Sequence, residues 1–529
     1  VVPPNFDKPK KVNEDEEPFW EEIFITAHAD GGPDEAPTPR DGMYGMYYVQ
    51  GKLRMAHNDP LTQPLTVAIN HMLEQGLQKQ KTGKGVSVHD GLVQQLQEHL
   101  RVPQSVATEL YNLAVAGYGN TATVTDLTQL SLSILASFEQ YWEEHEEHGD
   151  FRLPKHLGMY SVVQALQTYL ETNFGGYNGG GNGQESTSSS QEEDYDNGAC
   201  QFQLLVNSPV ERVVEQESNA IDDDVEQEEN SSSGAGKKIL VTYSQRTSPP
   251  SGSQGDETVD SYVIEADQVV VAVPPPLLPR ILPDLPKEKR TALNYVSFNN
   301  ICKVVLKFSK CFWPPKLQSI VSAEGYFPEL WFRPNFGGFE DDTSEQSHLV
   351  VFYLSDDYAD NFVEECLFEN MADDSNFTWD KNKASELCLE HLAKVLEYEN
   401  EDPTELRKLL VNVLIHDWKS HPYVEGGHFA PKVGMTPAHL QALAAPMGQH
   451  NKIHFCGEAT NTNACGTVQA AMETGVRAAN AVIEQQHREQ NEVLQQQEAQ
   501  EQQGEVALQN TKDPQVDGGD DDETTVNNE

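Results

Sequence analysis

Basic residues are scarce in this sequence. It has 36 lysines and arginines against 84 aspartates and glutamates, a net charge of −48 over 529 residues. Such a chain repels phosphate backbones instead of neutralising them, which excludes nonspecific nucleic-acid binding and would attract polycations. Paired cysteines are also lacking. The seven cysteines (Cys200, Cys302, Cys311, Cys366, Cys388, Cys456 and Cys465) form no CxxC pair and no zinc-ligand spacing. They read as reduced core thiols with no metal site, and point to an intracellular, cytoplasmic setting. No apolar run approaches the roughly 20 residues that span a bilayer, and the start carries no signal-peptide pattern. The Gln-rich polar end argues against a C-terminal membrane anchor. An initiating Met is lacking too: the chain begins at Val1, so a fragment of a longer protein is expected.

What is present has the length for two or more domains. Residues 1–45 are acidic and irregular, with an apolar patch near Phe24 that suggests a strand, and "MYGMYYVQGKLRM" (Met43–Met55) reads as a hairpin around a Gly turn. From Leu61 to Tyr141 apolar residues recur at three and four, as in "VHDGLVQQLQEHL", so this stretch is a set of amphipathic helices. Asp90 and Thr125 with Asp126 are candidate helix starts. A further helix is expected over Gly158–Leu170. Strands follow at "NSPVERVV", "KKILVTYSQ" and "SYVIEADQVVVAV", interrupted by low-complexity insertions at 175–198, 215–236 and 246–258. The glycines of "GGYNGGGNG" have no strand before them and no helix after, which rejects a dinucleotide loop. Strands at "ICKVVLKF" and "HLVVFYL" and a helix at "ASELCLEHLAKVLEY" make a second mixed region, and residues 485–529 read as a disordered tail.

Two places carry candidate chemistry. In "HFCGEATNTNACGTVQAAMETGV" a short apolar segment ends at Cys456, Gly457 permits close backbone approach, and Glu458 sets a carboxylate at the turn. Gly466 and Thr467 then open a helix of small residues, and the free amides near Thr467 and Val468 carry partial positive charge toward whatever lies before them. In "ICKVVLKF", alternation puts Ile301, Lys303 and Val305 on one face, with a lysine between apolar neighbours. By itself that is the pattern of an edge or snorkelling lysine.

The order of four motifs resembles one family, the flavin-containing amine oxidases, which include monoamine oxidases, polyamine oxidases and lysine-specific histone demethylases. "FCGEATNTNACGTVQAAMETGVRAA" is similar to the family's C-terminal flavin motif, and "ADQVVVAVPPPLL" to the strand and Pro turn that follow its adenine-side strands. "NNICKVVLKFSKCFW" resembles its lysine strand ending in Phe-Trp, and "WKSHPYVEGGHF" its polyamine-oxidase pattern. The resemblance implies a mixed α/β, two-domain FAD-binding fold with interleaved domains. Residues 46–155 and 286–415 would form the substrate domain, and 156–285 and 416–484 the FAD domain. It implies Glu458, after Gly457, at the ribityl-pyrophosphate part of FAD, and the Gly466–Thr467–Val468 helix entry at the flavin N1 and O2 edge. A helix dipole favours negative charge there by on the order of 1 kcal/mol. Val210 would contact the adenine through its backbone, and Lys303 would hold a water against flavin N5, for proton handling or for the oxygen reaction. Trp418 would wall the flavin, while Tyr423, His428 and Phe429 would face the substrate, His428 in place of a flavin-bearing Cys implying noncovalent FAD. Trp418 and Tyr423 also suit a plain core.

By the same resemblance, an amine is oxidised to an imine and O2 becomes hydrogen peroxide, with "PYVEGG" leaning toward polyamines. The sequence departs from the family in two ways. It contains no strand with a GxGxxG turn followed by an acidic residue, and "NTNACG" replaces an aromatic before the helix. Two other readings therefore stay open: a noncatalytic scaffold for interactions, and an L-amino-acid oxidase using Arg333 for the substrate carboxylate.

Overall fold

The structure is a computed structural model. It describes residues 20–23, 44–56, 59–80, 85–123, 125–145, 151–154, 160–174, 202–216, 238–247, 258–314, 316–336, 347–369 and 377–510. The three low-complexity insertions lie mostly, and residues 511–529 entirely, outside these. The chain divides into two compact units, residues 1–474 and 475–529.

In the first unit, the expected hairpin forms from β1 (Tyr44–Val49) and β2 (Lys52–Met55). Its turn residues Gln50 (φ 55°) and Gly51 (φ 64°) are both left-handed, the geometry that matches strand twist in a two-residue hairpin loop. Helices α1 (Gln63–Gln80), α2 (Val88–Gln94), α3 (Gln104–Ala114) and α4 (Leu132–His145) follow. α2 and α3 each run on into π-helix, over Gln95–His99 and Val115–Thr123. The helix starts differ from expectation. Ser87 caps α2, its Oγ accepting the Asp90 N–H at 3.0 Å, so Asp90 lies inside the first turn. Asp126 instead closes a local turn by accepting the Thr128 N–H at 2.8 Å, and α4 begins at Leu132. Next come α5 (Tyr160–Phe174) and an antiparallel sheet of β3 (Val210–Glu215), β4 (Ile239–Thr247) and β5 (Thr258–Ala266). The short β6 (Val269–Val271) and α6 (Lys287–Leu293) lead into the second mixed region.

That region builds the largest sheet from β7 (Ile301–Phe308), β8 (Leu317–Ser322), β9 (Glu329–Phe336), β10 (Ser347–Ser355) and β11 (Leu410–Asp417), with α7 (Asp356–Cys366) and α8 (Lys381–Val395). With the hairpin it has seven strands, ordered β11-β7-β10-β9-β8-β1-β2, antiparallel except for β8 with β1. Alternation gives each face its own core. Val304, Leu306, Phe352 and Leu330 pack with Ala359, Phe362, Cys388 and Leu392 of α7 and α8. On the opposite face, Val321 and Tyr47 pack with Leu92, Leu110 and Ala114 of the helices before Thr123. The sheet thus lies between two helical layers.

The chain closes with α9 (Pro437–Ala444), β12 (Ile453–Phe455), parallel to β6, and α10, which starts at Val468 and ends at Asn510. Helix therefore occupies residues 485–510, inside the stretch read as a disordered tail. Glu and Gln are good helix formers, and Gln485 bonds Glu489 one turn on. Residues 475–510, the described part of the second unit, are helical throughout.

Candidate functional site

β12 ends at Phe455 and the chain turns at Gly457, whose φ of +112° only glycine adopts freely. A Cβ at Gly457 would have no neighbour within 4 Å, so open space lies before the turn. Its N–H is held by Thr474 Oγ1 at 2.9 Å, which ties the turn to α10. Glu458 then bridges two segments: Oε1 accepts the Phe429 N–H at 3.0 Å and Oε2 the Gly466 N–H at 2.8 Å. Each carboxylate oxygen has two acceptor positions, so two remain for other donors. The departing loop is well organised. Asn461 Oδ1 accepts the N–H groups of Asn463 and Ala464, and its amide donates to Glu473 at 2.8 Å. Thr467 caps α10 through the Ala470 N–H at 3.1 Å, leaving the Val468 and Gln469 amides at the helix mouth, where Val468 is 52% exposed.

Segment 426–429 joins this turn to the lysine strand. The Gly427 N–H donates to the Asn299 carbonyl at 2.8 Å, and a Cβ on Gly427 would stand 2.4 Å from Ile301 Cδ1. Only glycine permits that approach. One residue on, the His428 ring lies against Gly466, and its Nδ1 is 3.0 Å from the Phe429 carbonyl. A carbonyl only accepts, so Nδ1 carries the hydrogen of this bond. The Trp418 N–H donates to the Ile301 carbonyl at 2.9 Å, and its ring meets His416 edge-on at 4.3 Å. Tyr423, with its ring 6.0 Å from His421, is exposed.

Phe429 is 1% exposed and packs with Ile134, Phe138, Val296 and Leu440, so its side chain lies in the core while its backbone reaches Glu458. Val210 begins β3 and is 40% exposed; its sheet packs in the core that contains Phe455, two residues before the Gly457 turn.

Lys303 is half-buried on the face its alternation indicates. Directly opposed residues share a face, so the register draws one row across the sheet: His416, Lys303, Tyr353, Glu329, Val321 and Tyr47. The Lys303 Nζ lies 5.1 Å from the centre of the Tyr353 ring. Burial lowers the lysine's proton affinity, and the carboxylate of Glu329 opposes that shift. Burial also raises the Tyr353 hydroxyl pKa. Sequence reading missed Glu329, Tyr353, His416 and Asn120, which local pattern does not connect. Arg333 lies in the row of Lys307, so the row of Lys303 holds a carboxylate and not a guanidinium.

The open Gly457 turn, the acceptor positions of Glu458 and the free amides at Val468 and Gln469 fit the ribityl and ring end of a flavin: hydroxyl donors, an electron-rich ring edge and a flat surface. The fold and these residues define one class of protein. Residues 104–483 match the family described as flavin containing amine oxidoreductase, and the chain belongs to that family. From Oryza sativa subsp. japonica, Polyamine oxidase 4 is 27% identical over 228 residues, 42% of this chain and 40% of its own length. Lysine-specific histone demethylase 1 homolog 1 of the same plant is 23% identical over 232 residues, 42% of this chain and 24% of its own. The chain thus spans well under half the length of these curated relatives. Among solved structures, a putrescine oxidase bound to putrescine has a TM-score of 0.54 at 16% identity, covering 83% of this chain and 81% of that one. Cyclohexylamine oxidase from Brevibacterium oxydans IH-35A has a TM-score of 0.52 at 13% identity, covering 84% and 81%. These structures share the fold.

Proposed function

We propose that this protein supports FAD-dependent oxidation of a polyamine-like or other primary or secondary amine, with O2 as the electron acceptor. The observation that carries the reading is the Glu458 bridge, which locks the Gly457 turn, segment 426–429 and the α10 entry into one preformed cradle. A flavin held there would supply the redox chemistry, two-electron oxidation of the amine coupled to reduction of O2. Glu458 would accept from ribityl hydroxyls, and the Val468 and Gln469 amides would offer the positive end of the helix to the ring. His428, which contacts Gly466 at that entry, stands in place of a flavin-bearing Cys, and the FAD would be held noncovalently. Trp418 and Tyr423 supply aromatic surface near the start of β7.

Lys303 is the residue that holds or moves a proton, at Nζ or through a water it binds. The balance is plain: the amine loses a hydride and a proton to become an imine, water hydrolyses the imine to a carbonyl compound and an amine or ammonia, and O2 gains two electrons and two protons as hydrogen peroxide. The partners are accordingly a small amine and O2, with no direct contact to nucleic acid. No helix among the described residues is long and apolar enough to cross a membrane, and none is assigned an anchoring role.

The test is to titrate the protein with FAD, following visible absorbance, and then to assay peroxide with spermine, spermidine, putrescine and an L-amino-acid set. Flavin binding with peroxide from polyamines alone supports the proposal. Peroxide from amino acids would replace it with the amino-acid oxidase reading. Failure to bind flavin favours the noncatalytic scaffold, which the lack of a GxGxxG segment in this sequence motivates.

A further inference from the structure

The π-helix Val115–Thr123 crosses β8, β9 and β10 on the face that carries Lys303. Gly117 lets it come close: a Cβ there would stand 3.2 Å from Val321 Cγ1. The approach buries Asn120, which is 2% exposed and has four hydrogen bonds. Its Nδ2 donates to Glu329 Oε2 at 3.2 Å and to the Tyr353 carbonyl at 3.1 Å, while its Oδ1 accepts the Ser355 N–H at 2.8 Å and hydroxyl at 2.9 Å. An amide with both donors and both acceptors used has one orientation. Glu329, also 2% exposed, is therefore held by a fixed donor on the row that contains Lys303, with only Tyr353 between them in strand order. A buried carboxylate is costly to retain without a cationic or hydrogen-bonding partner. π-helical turns are frequent at functional sites, and this one places the amide over that row.

From this geometry we infer that Glu329, oriented by Asn120, is the positioning residue for Lys303, its fixed carboxylate facing the ammonium across the Tyr353 ring in the same row. The inference gives a partner to the lysine that the proposed oxidation uses, but the lysine's behaviour can be read whether or not the protein oxidises an amine. Among the described residues, the titratable groups in the row of Lys303 are His416 from β11, Tyr353 from β10 and Glu329 from β9, and the π-helix packed on that face adds Tyr118, bonded to Glu139, and the neutral amide of Asn120. Burial lowers the proton affinity of Lys303, and Glu329 is the group that raises it again.

The experiment follows acylation of Lys303 against pH by peptide mass spectrometry, with Lys307, four residues along the same strand, as the internal control. The midpoint of the pH curve reports the lysine's proton affinity, and the plateau at high pH reports access. Glu329→Gln should lower the Lys303 midpoint by about one pH unit, a roughly tenfold faster reaction at a fixed pH below it, with Lys307 unmoved. Glu329→Asp, which keeps the charge, should leave the midpoint within about 0.3 units of wild type. If circular dichroism shows that Glu329→Gln does not fold, Asn120→Ala carries the test, with a shift of the same sign and about half the size. An unmoved midpoint in the folded variant, or equal shifts in Glu329→Gln and Glu329→Asp, overturns the inference. Independent loss of flavin binding or peroxide release, with this midpoint pattern intact, would fault the proposed function instead.

Discussion

Each oxygen of Glu458 accepts one backbone N–H, so the residue has a structural role that can be separated from any cofactor. Glu458→Ala leaves the Phe429 and Gly466 amides without their acceptor, and urea unfolding should show a loss of about 1–3 kcal/mol. Glu458→Gln keeps one acceptor oxygen and should lose less. A second residue gives the protein a readable pH dependence. Burial, with Lys394 nearby, pushes His391 down to about 3. The unfolded chain, with histidine at its ordinary value near 6.5, then binds one more proton than the folded chain between about pH 3 and 6.5. Its contribution is therefore intact above pH 6.5 and falls as pH falls. Asp356, pushed up to about 6 by burial and Asp357, acts in the opposite direction, so the contribution of His391 must be read against a variant. Between pH 7 and 5, wild type should lose on the order of 1–2 kcal/mol more than His391→Phe in urea melts.

At the scale of elements, one buried lysine joins three pieces of the fold. Lys289 on α6 donates to the carbonyls of Ala442, Leu443 and Ala445 at 2.8, 2.7 and 2.9 Å, capping the end of α9, and its ammonium lies 3.8 Å from the centre of the Phe455 ring. The last carbonyls of a helix have no partners within it, and a cation there satisfies both hydrogen bonding and the dipole. Lys289→Met, close in shape and apolar, should therefore cost about 1–3 kcal/mol by leaving these carbonyls without a donor, seen in the denaturation midpoint. Because Phe455 precedes the Gly457 turn by two residues, the same variant should also weaken flavin binding. The elements themselves were largely legible. The hairpin at Tyr44–Met55, the helices from Gln63 to His145 and the alternation of Ile301–Phe308 follow from local period. Ser87 shows what local reading misses: a Ser and an Asp three residues apart can both begin a helix, and only the geometry selects the Ser.

At the scale of the whole molecule, the family was legible because its motifs are short backbone devices: a glycine turn, a capped helix entry, a Gly-Gly approach to a strand. Those devices depend on residue type at fixed spacing, so sequence exposes them. The Lys303 row was not legible, because His416, Tyr353 and Glu329 become neighbours only through the strand order β11-β7-β10-β9, and Asn120 reaches them from a π-helix more than 200 residues earlier than Glu329. For Phe429, motif position points to the substrate, while packing puts its ring in the core, which only the fold reveals. The polar stretch after residue 485 lacks a core-forming pattern, yet its Gln and Glu content suffices for helix as far as Asn510. The central claim, that a flavin held at the Glu458 cradle oxidises an amine beside Lys303, is tested most directly by mixing the FAD-supplemented protein with spermine under anaerobic conditions and following visible absorbance. The account predicts that the bound flavin loses its visible band, recovers it on admission of O2 with release of peroxide, and does both far more slowly in Lys303→Met. A protein that takes up no FAD, or takes it up and keeps its absorbance unchanged in the presence of polyamines, would contradict it.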